Sequence, residues 1–166
     1  MLSRKNEDTG RIQWFGSAVE KWLLLLLFTV YMGVVSYIVF FAWNYGASYG
    51  PLAPGGRNYN LEPLLSIYNI MTYSVGWEHP LRILGGNILL FVPFGFFVPL
   101  LMERFRQQAG RFSFLLTILL ASLWSTFIEV NQFLFTQRVA NVDDVLLNTL
   151  GGAVGYGIYL FYRRRG

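Results

Sequence analysis

Long apolar runs free of charge alternate with short polar stretches along this chain, and their lengths predict membrane-crossing helices. The run WLLLLLFTVYMGVVSYIVFFAW, Trp22–Trp43, holds 22 residues without a charge and has a tryptophan at each end. A bilayer needs roughly 17–25 such residues. A secretory signal has a shorter apolar region of about 7–15 residues followed by a small-residue cleavage site, so this run is expected to remain as the first span. Three more are expected at about residues 83–102, 112–135 and 145–162. The second is interrupted by Pro93, which with Gly95 predicts a kink and a freed backbone carbonyl near Asn87. The expected fold is an all-α membrane protein with four transmembrane helices, the whole of residues 1–166 forming one membrane domain.

The connection between the first two spans is long, and such loops usually carry function or structure of their own. Its first part, NYGASYGPLAPGGRNYN (44–60), is rich in Gly, Pro and Tyr and reads as irregular. Its second part, LEPLLSIYNIMTY (61–73), places Leu61, Leu64, Leu65, Tyr68, Met71 and Thr72 at helical spacing. Pro63 suits a first helical turn. This part is expected to form an outer interfacial or re-entrant helix, lying across the end of the bundle near Asn87 and Arg138.

Composition agrees with a membrane protein. Of 166 residues 54% are hydrophobic and only 13% charged, against about 25% charged in soluble domains. With no cysteine and one histidine, disulfides, thiol chemistry and a histidine metal centre are excluded. His79, beside Pro80, reads as an interfacial loop residue. No cofactor or metal is expected. The net charge of +4 does not indicate nucleic acid, because the basic residues flank the spans, where they orient the protein and meet anionic headgroups.

Counting those residues sets an orientation. Arg4, Lys5, Arg11, Lys21, Arg104, Arg106, Arg111 and Arg163–Arg165 fall on one side, and Arg57, Arg82 and Arg138 on the other. The positive-inside rule then puts both termini in the cytoplasm of a bacterial cell membrane. A cysteine at Ser48 or Gln137 should therefore react with an impermeant thiol reagent on intact cells, and one at Gln108 should not. Labelling at Gln108 alone would reverse the orientation.

On this topology the polar residues of the spans gather at the outer end. Asn87 lies one turn inside the second span. Glu129 and Gln132 share a face of the third. Arg138, Asp143 and Asp144 occupy the outer connection, and Asn148 opens the fourth. Glu129 is about six residues from Phe135, roughly 9 Å deep at 1.5 Å per residue. A buried acid costs several kcal/mol at mid-membrane and less toward the interface, so it should face partners inside the bundle, with Arg138 the nearest cation. Asp144, Asn148, Gly151 and Gly155 form a polar-to-small stripe, whose GxxxG pair permits close helix approach. Asp143 and Asp144 also suit the N-terminus of their own helix, so capping is an alternative role, above all for Asp143. Asn87 and Asn148 could equally be packing glue between helices.

Three blocks resemble the VanZ-like membrane proteins: NLEPLLSI (60–67), NILLFVPFGFFVPLL (87–101) and IEVNQFLFTQRVANVDDVLLNTLGGAVGYG (128–157). The third is the most specific, with I-E-x-x-Q, an Arg six residues on, then x-D-D-x-x-x-N-x-x-G. Asn141 stands where relatives often have an acidic residue, and Glu62 where they have an apolar one. The resemblance implies an association with reduced susceptibility to teicoplanin and related lipoglycopeptides, without a change of peptidoglycan precursor. It implies no particular reaction.

Three functions fit these residues. The first is a binding protein whose outward pocket of Asn87, Glu129, Gln132, Arg138, Asp143, Asp144 and Asn148 holds an envelope lipid or drug moiety. The second is an intramembrane enzyme modifying an envelope lipid or glycolipid, with Glu129 as general acid or base, Arg138 holding a phosphate or carboxylate and Asp144 orienting a nucleophile or a metal. The third is a structural network alone. The expected partners are membrane lipids, with a lipoglycopeptide or envelope glycolipid as candidate ligand and no nucleic acid. A transporter is disfavoured, because the charges occupy one leaflet rather than a path.

Overall fold

The computed structural model describes residues 2–41, 59–106, 113–135 and 139–165, with side chains from residue 18 onward in the first helix. The order of elements is α1 (Leu2–Phe40), β1 (Tyr59–Asn60), α2 (Leu65–Tyr73), α3 (Glu78–Pro80), a π-helical turn (Leu81–Gly85), α4 (Gly86–Arg106), α5 (Phe114–Phe135), β2 (Ala140–Asn141) and α6 (Val142–Arg165). Among the described residues four helices are long and apolar enough to cross a membrane: Ala18–Phe40, Glu78–Phe105, Phe114–Phe135 and Val142–Arg164. This is a membrane protein of the all-α class expected from the sequence.

The boundaries differ in instructive ways. Helix α1 begins at Leu2, because the polar segment ahead of the apolar run contains no proline to stop it. The second span begins at Glu78 rather than Ile83 and turns through the π-helical segment before α4. His79 thus lies on a short helix, and its Nδ1 is 3.0 Å from the Ser74 hydroxyl. Helix α4 passes through Pro93 and Pro99 without interruption. Pro93 leaves the Leu89 carbonyl, four residues back, without its helical donor, and in the same turn the Tyr31 hydroxyl donates to the Leu90 carbonyl at 2.7 Å. Asn87 does not serve that carbonyl turn; it bonds elsewhere.

The centre of the bundle is the seam between α4 and α6, two helices that run in the same direction. Glycine makes the seam close. A Cβ at Gly151 would collide with the Ile88 carbonyl, one at Gly155 with the Val92 carbonyl, and one at Gly95 with the Gly152 carbonyl. Gly152 in turn faces α5, where its Cβ would lie 2.8 Å from that of Ala121. Helix α1 packs on the flank, with Val35 and Val39 joining Phe91, Phe94, Ala121 and Ile128 in one buried cluster. Its other face, including Trp22, Leu26, Val30 and Tyr37, is exposed, as a lipid-facing stripe must be.

The far end of the seam is closed by a polar lock. The Tyr159 hydroxyl donates to Glu103 at 2.6 Å, and the other Glu103 oxygen lies 3.1 Å from Arg163 Nε. Arg104 and Glu20 pair at 3.1 Å and join α1 to α4 there.

Candidate functional site

The opposite end, where α1 and α5 finish and α4 and α6 begin, holds the cluster. Asn141 is its hub. As N-cap of α6, its Oδ1 accepts the Asp143 backbone N–H at 3.1 Å, the usual device for satisfying a first-turn donor. Its own backbone N–H donates to Glu129 Oε2 at 2.7 Å. Its side-chain amide donates to Asp144 Oδ1 at 3.3 Å, an oxygen that also accepts from Asn87 at 3.0 Å. Three helices are therefore joined through one residue and two carboxylates.

Asp143 does something the sequence does not reveal. It does not cap its own helix; Asn141 does. Its carboxylate, 1% exposed, turns to the start of α2 and accepts three backbone N–H groups: Leu64 at 2.5 Å, Ser66 at 2.8 Å and Ile67 at 3.1 Å. Helix α2 has no capping side chain of its own, and its N-cap residue Leu64 is left-handed, with φ 67°. A carboxylate placed 77 residues away in sequence supplies both the hydrogen bonds and the charge that the helix N-terminus favours. Helix α2 begins after Leu64, so Pro63 belongs to the preceding turn rather than to a first helical turn.

A second tie holds the same loop. Strands β1 and β2 pair in parallel, with Tyr59 opposite Ala140 and Asn60 opposite Asn141. The Asn60 amide reaches Ser66 Oγ at 3.0 Å and Asn141 Oδ1 at 3.1 Å, and Ser66 Oγ donates to Asn141 Oδ1 at 3.3 Å. Beyond its first turn α2 is exposed apart from the half-buried Ile70, and none of its residues is buried.

The expected residues divide as follows. Asn87, Glu129, Asp143 and Asp144 are brought together. Gln132, despite sharing a helix face with Glu129, donates to the Val39 carbonyl at 2.8 Å; it binds the end of α1 to α5. Asn148 does not follow Gly151 and Gly155 onto α4. It faces α5 and donates to Ser125 Oγ at 2.8 Å. Arg138 and residues 44–58 lie outside the described residues. Asn60, Ser66, Ser125 and Asn141 are members that the sequence pattern does not single out. The block NLEPLLSI contains two of them, but small polar residues in loops carry no periodic signal. Among the described residues no three His, Cys, Asp or Glu side chains are grouped so as to hold a metal ion.

Chemically, the buried part of this arrangement is scaffold: Asp143 and Glu129 serve backbone donors. The part-buried pair Asn87–Asp144 presents the polar surface that a bound molecule could meet. The family model for VanZ/LLP1 matches residues 28–163, a range containing every residue of the cluster. Protein VanZ of Enterococcus faecium is 30% identical over 105 residues, which are 62% of this chain and 53% of that protein. The chain thus spans about half the length of this curated relative. No solved structure shows significant similarity.

Proposed function

The chain belongs to the VanZ/LLP1 family, and on that premise we propose that it lowers susceptibility to teicoplanin and related lipoglycopeptides by binding an envelope lipid or drug moiety at this polar end. Both termini face the cytoplasm and the cluster opens outward. The observation that carries the reading is the convergence on Asn141: Asn60, Glu129 and Asp144 bond to it directly, and Asn87 joins through the Asp144 oxygen that both amides share. A bundle needing only stability has no reason to concentrate acids at one end, because buried ion and hydrogen-bond networks are seldom better than apolar packing. The position of Asp144 favours binding over catalysis. It is part-buried and oriented by two amides, whereas Glu129, the acid or base of the enzymatic alternative, is engaged by a backbone N–H.

Glu129→Gln, Arg138→Lys and Asp144→Asn test this together. Each should insert at near-normal abundance. Asp144→Asn should weaken ligand binding about tenfold or more, the value of a hydrogen bond to a charged group. Arg138→Lys should also weaken it, since lysine lacks the bidentate fork. Teicoplanin susceptibility should rise toward that of cells without the protein. Full protection in all three at normal abundance would exclude the site. Lipid turnover by purified protein, abolished in Glu129→Gln, would favour the enzyme instead.

A further inference from the structure

Resting on the binding reading above, we infer that the site takes a hydroxyl-bearing headgroup, a sugar or polyol, one of whose hydroxyls reaches a helical turn below Asp144 to the Asn148 amide. The cluster is built in two layers. The upper layer contains Asn87, Glu129, Asn141 and Asp144. The lower layer lies one turn deeper on both α5 and α6, since Ser125 precedes Glu129 by four residues and Asn148 follows Asp144 by four. The two lower residues bond to each other at 2.8 Å. Beneath them the lining becomes apolar and close, with Phe91 fully buried and Gly152 against Ala121.

Asn148 is 4% exposed, and among the described residues its Oδ1 has no hydrogen-bond partner. A buried polar atom without a partner is costly and uncommon, and here it belongs to the residue one helical turn below the part-buried Asp144 on α6. Turned through 180°, the same amide would accept from Ser125 and leave its NH2 group unmet instead. A hydroxyl is donor and acceptor at once and satisfies either setting. A phosphate can only accept. An ammonium can only donate, and would carry its charge into a neutral layer of the bundle, where desolvation opposes it. In the layer above, Asp144 and Asn87 form the carboxylate–amide pair that a neighbouring hydroxyl can bridge.

The chemistry fits two sources, an envelope glycolipid and the sugars of a lipoglycopeptide. The full-length chain, in phosphatidylcholine nanodiscs, is titrated with a diglucosyl diacylglycerol, with phosphatidic acid of the same acyl chains, with teicoplanin and with its sugar-free aglycone. The glycolipid or teicoplanin should bind at least tenfold more tightly than its hydroxyl-poor counterpart. Preference for the glycolipid assigns the lipid as source, and a teicoplanin response lost in the aglycone assigns the drug. Asn148→Leu should reduce the preference about tenfold while the unliganded protein melts no lower than the parent, because an unmet amide is replaced by packing. Ser125→Ala provides a second, smaller change with the same direction. Equal binding of phosphatidic acid, or an unchanged preference in both variants, overturns the assignment. If Asp144→Asn weakens all probes equally, the binding reading survives without it; if no probe binds, both fall.

Discussion

Asp143→Ala should release α2 from the bundle while the four spans remain inserted. Three backbone N–H groups donate to this carboxylate, which supplies the cap that α2 lacks, and at 1% exposure no bulk water replaces it. An ordinary N-cap is worth about 0.5–2 kcal/mol, and hydrogen bonds to charged groups about 1.5–3 kcal/mol each. The combined loss should be about 3 kcal/mol, or roughly a hundredfold in the local opening equilibrium. Leu64 adds to the effect, since a left-handed conformation costs a residue with a Cβ roughly 1–2 kcal/mol and persists only while something holds it. Hydrogen exchange at Leu64, Ser66 and Ile67 should accelerate by that factor, with exchange in α4 and α5 little changed. Asp144→Asn, adjacent but bonded to Asn87 and Asn141, should leave those three amides protected. Unchanged exchange in Asp143→Ala would show that the β1–β2 pairing alone holds the loop.

Gly155→Ala should be more damaging than any substitution in the cluster, although it adds one methyl. That methyl would strike the Val92 carbonyl oxygen and lie 2.9 Å from Phe96 N. Both are backbone atoms of a neighbouring helix, so no rotamer change relieves the contact and α4 must move from α6. Overpacking typically costs about 1–3 kcal/mol, and a rigid backbone obstacle should place this case at or above the upper end. Gly151→Ala, against the Ile88 carbonyl, should behave alike. Gly157→Ala is the control. It lies on the same helix with nothing within 4 Å, and replacing a helical glycine there should be neutral or stabilising by about 0.5–1 kcal/mol. Thermal melting and membrane abundance of the three variants check this ordering. Equal melting of Gly155→Ala and Gly157→Ala would mean that the seam is not the centre of the bundle.

The sequence by itself determined the number of spans, their approximate limits and the end at which the polar residues collect. Those properties follow from local composition: a segment crosses a bilayer when about 20 consecutive residues are apolar enough, whatever its neighbours do. It also marked Gly151 and Gly155 as a close-contact pair, because small residues four apart always share a helix face. Only the tertiary structure decided what each polar group bonds to. Glu129 and Gln132 share a face, yet one serves Asn141 and the other the end of α1. Asn148 continues the Asp144 stripe, yet turns to α5. Asp143 resembles a cap for its own helix and caps another instead. A hydrogen bond needs its partner within about 3 Å, and that distance depends on how neighbouring helices are rotated and how closely they approach. Here the approach is set by backbone contacts at glycines. Neither quantity is periodic along the chain, so neither can be read from it.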